Sequence, residues 1–267
     1  MVPRCYGWQM SGLKESGVVA RSVKRRRTVV SLLLVTALLF AVSSVLQLNA
    51  SMQRWIAFGN SADAAELSVE DHVYDYYLPT EEWVPIGSAA ELLGIGLLLV
   101  AVGFVVLATA VLLVPDPTTD HLKVVAATSW GFEVLLVLAT AGLFALMGLH
   151  TLISGLQGSA SGLLQSSLVL QLLLYVGFAA PVVLAFRWRN RIPAAGIVCV
   201  FLLGSTVVGY LVSTYLIAPL IAGMSHDAAR WTETVIAVST AAAGEAAAYG
   251  IIQVRRLMPP VPEQEAS

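Results

Sequence analysis

Charge is what this chain has least of. Asp, Glu, Lys and Arg make up 12% of its 267 residues, against about 25% in soluble domains. A soluble fold needs a charged surface, so the shortfall excludes an ordinary water-facing domain. The two cysteines, Cys5 and Cys199, exclude a disulfide framework, and Cys199 reads as a small apolar packer. His72, His121, His150 and His226 all fall in loops or at the ends of apolar runs, which excludes a midmembrane pair of haem ligands. A phosphate-binding glycine loop is also missing, and no cofactor is expected. The net charge of −2 comes with basic residues that form no soluble face, so no nucleic-acid partner is expected.

Hydrophobic residues, at 57%, are abundant instead. They gather into six stretches, at 29–50, 89–114, 124–149, 163–186, 194–222 and 232–254. Each exceeds the roughly 20 residues that cross a bilayer core of about 30 Å. The expected fold is an all-α integral membrane protein, a bundle of six transmembrane helices at 29–254 and a single domain. A basic segment, 1–28, precedes it, and a proline-bearing tail, 255–267, is expected to be disordered. With both termini cytoplasmic, the inner segments hold every Lys and Arg except Arg54 and Arg230, as short cytoplasmic loops tend to. The expected location is the cell membrane. The Ala, Val, Leu and Gly bias with few lysines points to a bacterium with a GC-rich genome.

The first stretch also carries Leu48-Asn49-Ala50 after its apolar run, which resembles a signal-peptide cleavage site. Its length favours an uncleaved anchor. Ser88 and Glu91 have capping-box spacing before the second stretch, and Asp116-Pro117 offers a cap and first-turn proline to the third. Pro181 and Pro219 are expected to kink their helices. The second stretch is almost wholly apolar and reads as the lipid-facing helix, with spans three to six enclosing a polar interior.

The segment 51–87 is acidic, with Asp63, Glu66, Glu70, Asp71, Asp75, Glu81 and Glu82 against Arg54. Trp55, Phe58, Tyr74, Tyr76, Tyr77 and Trp83 are interleaved with them. They are expected to rest at headgroup depth, and the loop is long enough to dock a protein partner. Asp71, His72 and Asp75 are too few and too common a set to indicate a metal.

Two acids stand inside apolar stretches. Glu133 lies ten residues after Lys123 and Glu245 ten before Arg255, which places both near midmembrane at 1.5 Å per residue. Acids there face the interior and carry function as a rule. Together they are expected to share a proton or hold a cation. Ser129, Thr140, Gln171, Tyr175, Ser205 and Tyr210 are the expected polar lining. Ser161 before Gly162 resembles the serine of rhomboid proteases. Ser159 stands where a glycine belongs, however, and the last stretch has no histidine base. With no catalytic constellation visible, an enzyme is not expected. The reading is a small permease or channel-like protein moving a proton or cation. Its rival is a non-catalytic membrane subunit that binds a partner through its loop or helix faces.

Overall fold

The structure is a computed structural model that describes residues 9–58, 70–79, 81–115, 123–223 and 229–257. Cys5, Asp63, Glu66, Asp116-Pro117, His121, His226 and the expected disordered tail after 257 lie outside them. The described residues are helical, with no strand among them. Helix α1 covers Gln9–Met52 and continues as a wide π turn, Gln53–Phe58. Helix α2 is Ala89–Leu112, α3 is Lys123–Gln157 and α4 is Ser167–Trp188. A bent pair follows, α5 at Pro193–Ser205 and α6 at Val207–Ala222, and α7 is Thr232–Leu257. Five helices are long and apolar enough to cross a membrane, and the bent pair makes a sixth span if counted as one.

The principal helix contacts close into a ring. In order, α1 packs on α2, α2 on α3, α3 on α4, α4 on α5, α5 on α7, and α7 back on α1. Side chains fill the ring, with Phe40, Leu184, Val198 and Leu202 fully buried and Phe104 stacked 5.6 Å from Trp188.

Helix α2 is not the lipid-facing element expected from its composition. It buries a larger share of its apolar stretch than α1, α3, α4 or α7 does. The reason is its glycines. A Cβ at Gly94 would sit 2.6 Å from the Leu152 amide of α3, and one at Gly103 would sit 2.6 Å from the Phe40 ring of α1. Small residues let backbones approach, and a packed helix is as apolar as a lipid-facing one.

The sharpest bend, 66°, is at Thr206 rather than at Pro181 or Pro219. Thr206 is extended (φ −90°, ψ 165°), and its hydroxyl accepts from Gly209 N, capping α6. Gly209 has to be glycine, because a Cβ there would run into the Leu203 carbonyl. At α2 the expected capping box is absent. Ser88 instead bonds the Gln53 side chain, and Glu91 lies against Gly155.

Candidate functional site

The two acids singled out in the sequence do not meet. Glu133 is 1% exposed, and both its oxygens are engaged. Arg187 Nε donates to Oε1 at 2.7 Å, and Arg191 donates to Oε2 at 2.8 Å and Oε1 at 3.2 Å. Arg187 also bonds Ser129, which therefore braces the ion pair. Helix α3 has 35 residues and extends about 52 Å, so Glu133 stands between its first residue and its midpoint near Thr140, at the level of the two arginines. Glu245 lies on the exposed face of α7 with no hydrogen-bond or ion-pair partner among the described residues.

Of the expected lining, Thr140 and Ser205 face one small cavity of about 10 Å³ beside the helix break, with Thr206, Phe144 and Met147. That is room for about one water. Thr140 Oγ1 is buried there without a hydrogen-bond partner among the described residues. Tyr210 is buried nearby. Gln171 and Tyr175 do not line anything, since both are exposed, Tyr175 at 67%.

The densest polar cluster lies at the other end of the bundle, under the 70–88 loop. Because α1 runs on into its π turn, Arg54 is carried on the helix and is 0% exposed. Its Nη1 donates to Glu233 Oε1 at 2.7 Å, and its Nη2 donates to the Asp71 carbonyl at 3.2 Å. Trp55 Nε1 donates to the other Glu233 oxygen at 2.7 Å. Trp231, at φ 69°, begins α7 in a left-handed conformation, its ring 6.4 Å from that of Trp55.

Asp75 completes the group. Tyr210 donates its hydroxyl to Oδ2, and the Tyr77 amide donates to Oδ1 at 2.9 Å. Burial pushes the Asp75 carboxyl above its ordinary value. Arg54 and the Tyr210 hydrogen bond oppose that shift, and the Glu233 charge adds to it. Tyr76 is fully buried beside these charges, and its hydroxyl has no hydrogen-bond partner among the described residues. Tyr74, Tyr76, Tyr77 and Trp83 are thus buried cluster and core residues, not rings resting at a membrane surface. Among the described residues no three His, Cys, Asp or Glu side chains converge to hold a metal.

The cluster connects to the helix break. Tyr77 stacks on Tyr210 and donates to the Ser205 carbonyl at 2.8 Å. From Ser205 a hydroxyl contact runs to Thr240 at 2.9 Å, then to Gln47 at 3.2 Å, Ser43 at 2.9 Å and the Gly96 carbonyl at 2.7 Å. Hydrogen bonds therefore tie the loop, the break, α7, α1 and α2 together.

A second pairing escaped the sequence reading. His150 Nδ1 lies 2.6 Å from Ser161 Oγ, so a histidine does face that serine, from α3 rather than the last helix. The Ser161 amide donates to Ser154 Oγ, which in turn donates to the His150 carbonyl. These bonds fasten the 158–166 loop to the end of α3. His150 is 1% and Ser161 7% exposed, which fits a staple better than a site that admits substrate.

Fold and site together define an all-helical bundle with apolar helices of membrane-crossing length, a broken helix and a buried charged cluster at one end. Comparison with protein families, curated proteins and solved structures gives no match.

Proposed function

We propose that this is a six-span membrane protein with both termini in the cytoplasm, and that it exchanges protons through Asp75. The loop end faces away from the cytoplasm, consistent with the basic residues gathered at the other end. The observation that carries the reading is a charge count. Among the described residues, Arg54 is a buried cation that faces two carboxylates, Glu233 and Asp75.

Glu233 has the direct ion pair, which leaves Asp75 as the acid that takes and releases a proton. Its oxygens already accept from Tyr210 and the Tyr77 amide, an arrangement suited to a proton more than to a metal. The Tyr210 contact survives either protonation state, since phenol and carboxyl exchange donor and acceptor roles. Below it lie Tyr77, Ser205 and the bend at Thr206. Broken helices recur at the working sites of secondary transporters, and rocking about Thr206 would alter access to the Thr140 cavity.

The test is proton flux into vesicles of the purified protein carrying a trapped pH dye, driven by an imposed gradient. The wild type is expected to exceed empty vesicles, with Asp75→Asn at least tenfold slower. Flux equal to empty vesicles, or unchanged in Asp75→Asn, overturns the reading. A second reading, a non-catalytic membrane subunit, is favoured by the filled ring and by the full engagement of Glu133. It is the outcome if the wild type moves nothing.

A further inference from the structure

Three arginines mark the end of α4 and the turn after it, and they do not share one role. Arg187 and Arg191 both donate to Glu133, inside the bundle. Arg189, between them, is exposed, with no carboxylate in ion-pair contact among the described residues. Its guanidinium rests over the Phe186 ring, 5.3 Å from the centroid. That places it at the mouth of a groove of about 360 Å³ between α4 and α5. Val182, Ala185 and Phe186 form one wall, and Ile197 and Val200 the other. The two backbones meet at Gly196, where a Cβ would sit 2.8 Å from the Ala185 carbonyl. Among the described residues that line the groove, Arg189 is the only polar one. Along α5 the groove runs from Pro193 to Leu203, about 15 Å at 1.5 Å per residue. That is half of a bilayer core of about 30 Å, the depth of one leaflet.

We infer that this groove seats an anionic glycerophospholipid of the cytoplasmic leaflet, with one acyl chain between α4 and α5 and its phosphate on Arg189. This assignment rests on the six-span reading, with the arginine end cytoplasmic, and not on Asp75. Length, polarity and charge each select the occupant. An apolar groove that ends near mid-bilayer fits a chain that enters from one leaflet and stops where that leaflet does. At the headgroup end a guanidinium without a carboxylate is matched by phosphate, which its planar fork holds through two parallel hydrogen bonds. A zwitterionic headgroup brings its own cation, which Arg189 repels. One basic residue near the membrane surface is worth about a fivefold preference for anionic lipid, and basic pockets between membrane helices on the cytoplasmic side hold such headgroups in other proteins.

The test starts from membranes washed with alkaline carbonate, since a chain that washes out overturns the six-span reading and this inference together. Protein purified from the pellet is exchanged into micelles holding equal amounts of dioleoyl phosphatidylglycerol and dioleoyl phosphatidylcholine. Native mass spectrometry then counts the bound lipid. The wild type should retain one phosphatidylglycerol, preferred about fivefold over phosphatidylcholine. Arg189→Ala should lose that preference, while Arg256→Ala, at an exposed arginine on α7, should keep it. Val200→Trp, at a position 54% exposed and so outside the core, should fill the groove and cut retention several-fold. Leu138→Trp, on the exposed face of α3, should leave retention unchanged. Equal retention of the two lipids by the wild type overturns the inference and leaves the six-span reading intact. So does a preference that survives Arg189→Ala or Val200→Trp, or a second protein chain bound in place of lipid.

Discussion

Tyr77 lies flat on Tyr210, the rings 4.4 Å apart and 2° from parallel, and its hydroxyl ends on the Ser205 carbonyl. One side chain thus fixes the loop to both sides of the helix break. Tyr77→Ala should cost about 3–5 kcal/mol, as loss of a buried aromatic does, while Tyr77→Phe should cost about 1 kcal/mol for the hydrogen bond alone. Denaturant unfolding in mixed micelles separates the two. Equal losses would place the effect in the hydroxyl and deny the stack its role.

Arg54 and Glu233 form a buried pair. Removing one partner leaves an uncompensated charge, so Arg54→Met or Glu233→Met should each destabilise by about 3–5 kcal/mol. The double variant should recover much of that loss, because it removes both charges of the pair and leaves Asp75 able to stay protonated. The same unfolding assay reads it. Additive losses in the double variant would mean that the residues act separately.

Asp75 should make stability depend on pH in a particular direction. Its carboxyl is raised above the ordinary 3.8 by burial, with Glu233 adding to the shift. Between those values the folded state binds more protons than the unfolded one, so stability falls as pH rises through that window. The Asp75 contribution is most favourable below the unfolded value. Thermal unfolding of Asp75→Asn should lack that decline, whereas a slope identical to wild type would show that another group titrates.

Glu133 accepts from both Arg187 and Arg191, and the proposed proton route does not use it. Glu133→Gln leaves Arg187 and Arg191 without their shared carboxylate and should destabilise by about 3–5 kcal/mol. Proton flux per folded molecule should be unchanged. A variant that stays stable and loses flux would restore Glu133 as the working acid.

The six apolar stretches were legible because hydropathy reports apolar length directly, although α1 and α3 run well beyond theirs. The pairing of Glu133 was not legible. Arg187 and Arg191 lie more than fifty residues along the chain, and helical periodicity carries no record of a contact between elements. The break had a readable sign, a Thr206 cap followed by Gly209 inside an apolar run. Arg54 had one too, as a lone arginine beside a tryptophan at the edge of an apolar helix. Nothing in the sequence distinguishes Asp75 from the other loop acids, since its character comes from Tyr210, Glu233 and Arg54 on three separate helices.

The most direct measurement is an infrared pH titration of the purified protein, wild type against Asp75→Asn. The account predicts a protonated-carboxyl band that persists above the ordinary carboxylate range in the wild type and is missing from Asp75→Asn. A band identical in both proteins, or no such band in the wild type, would contradict it.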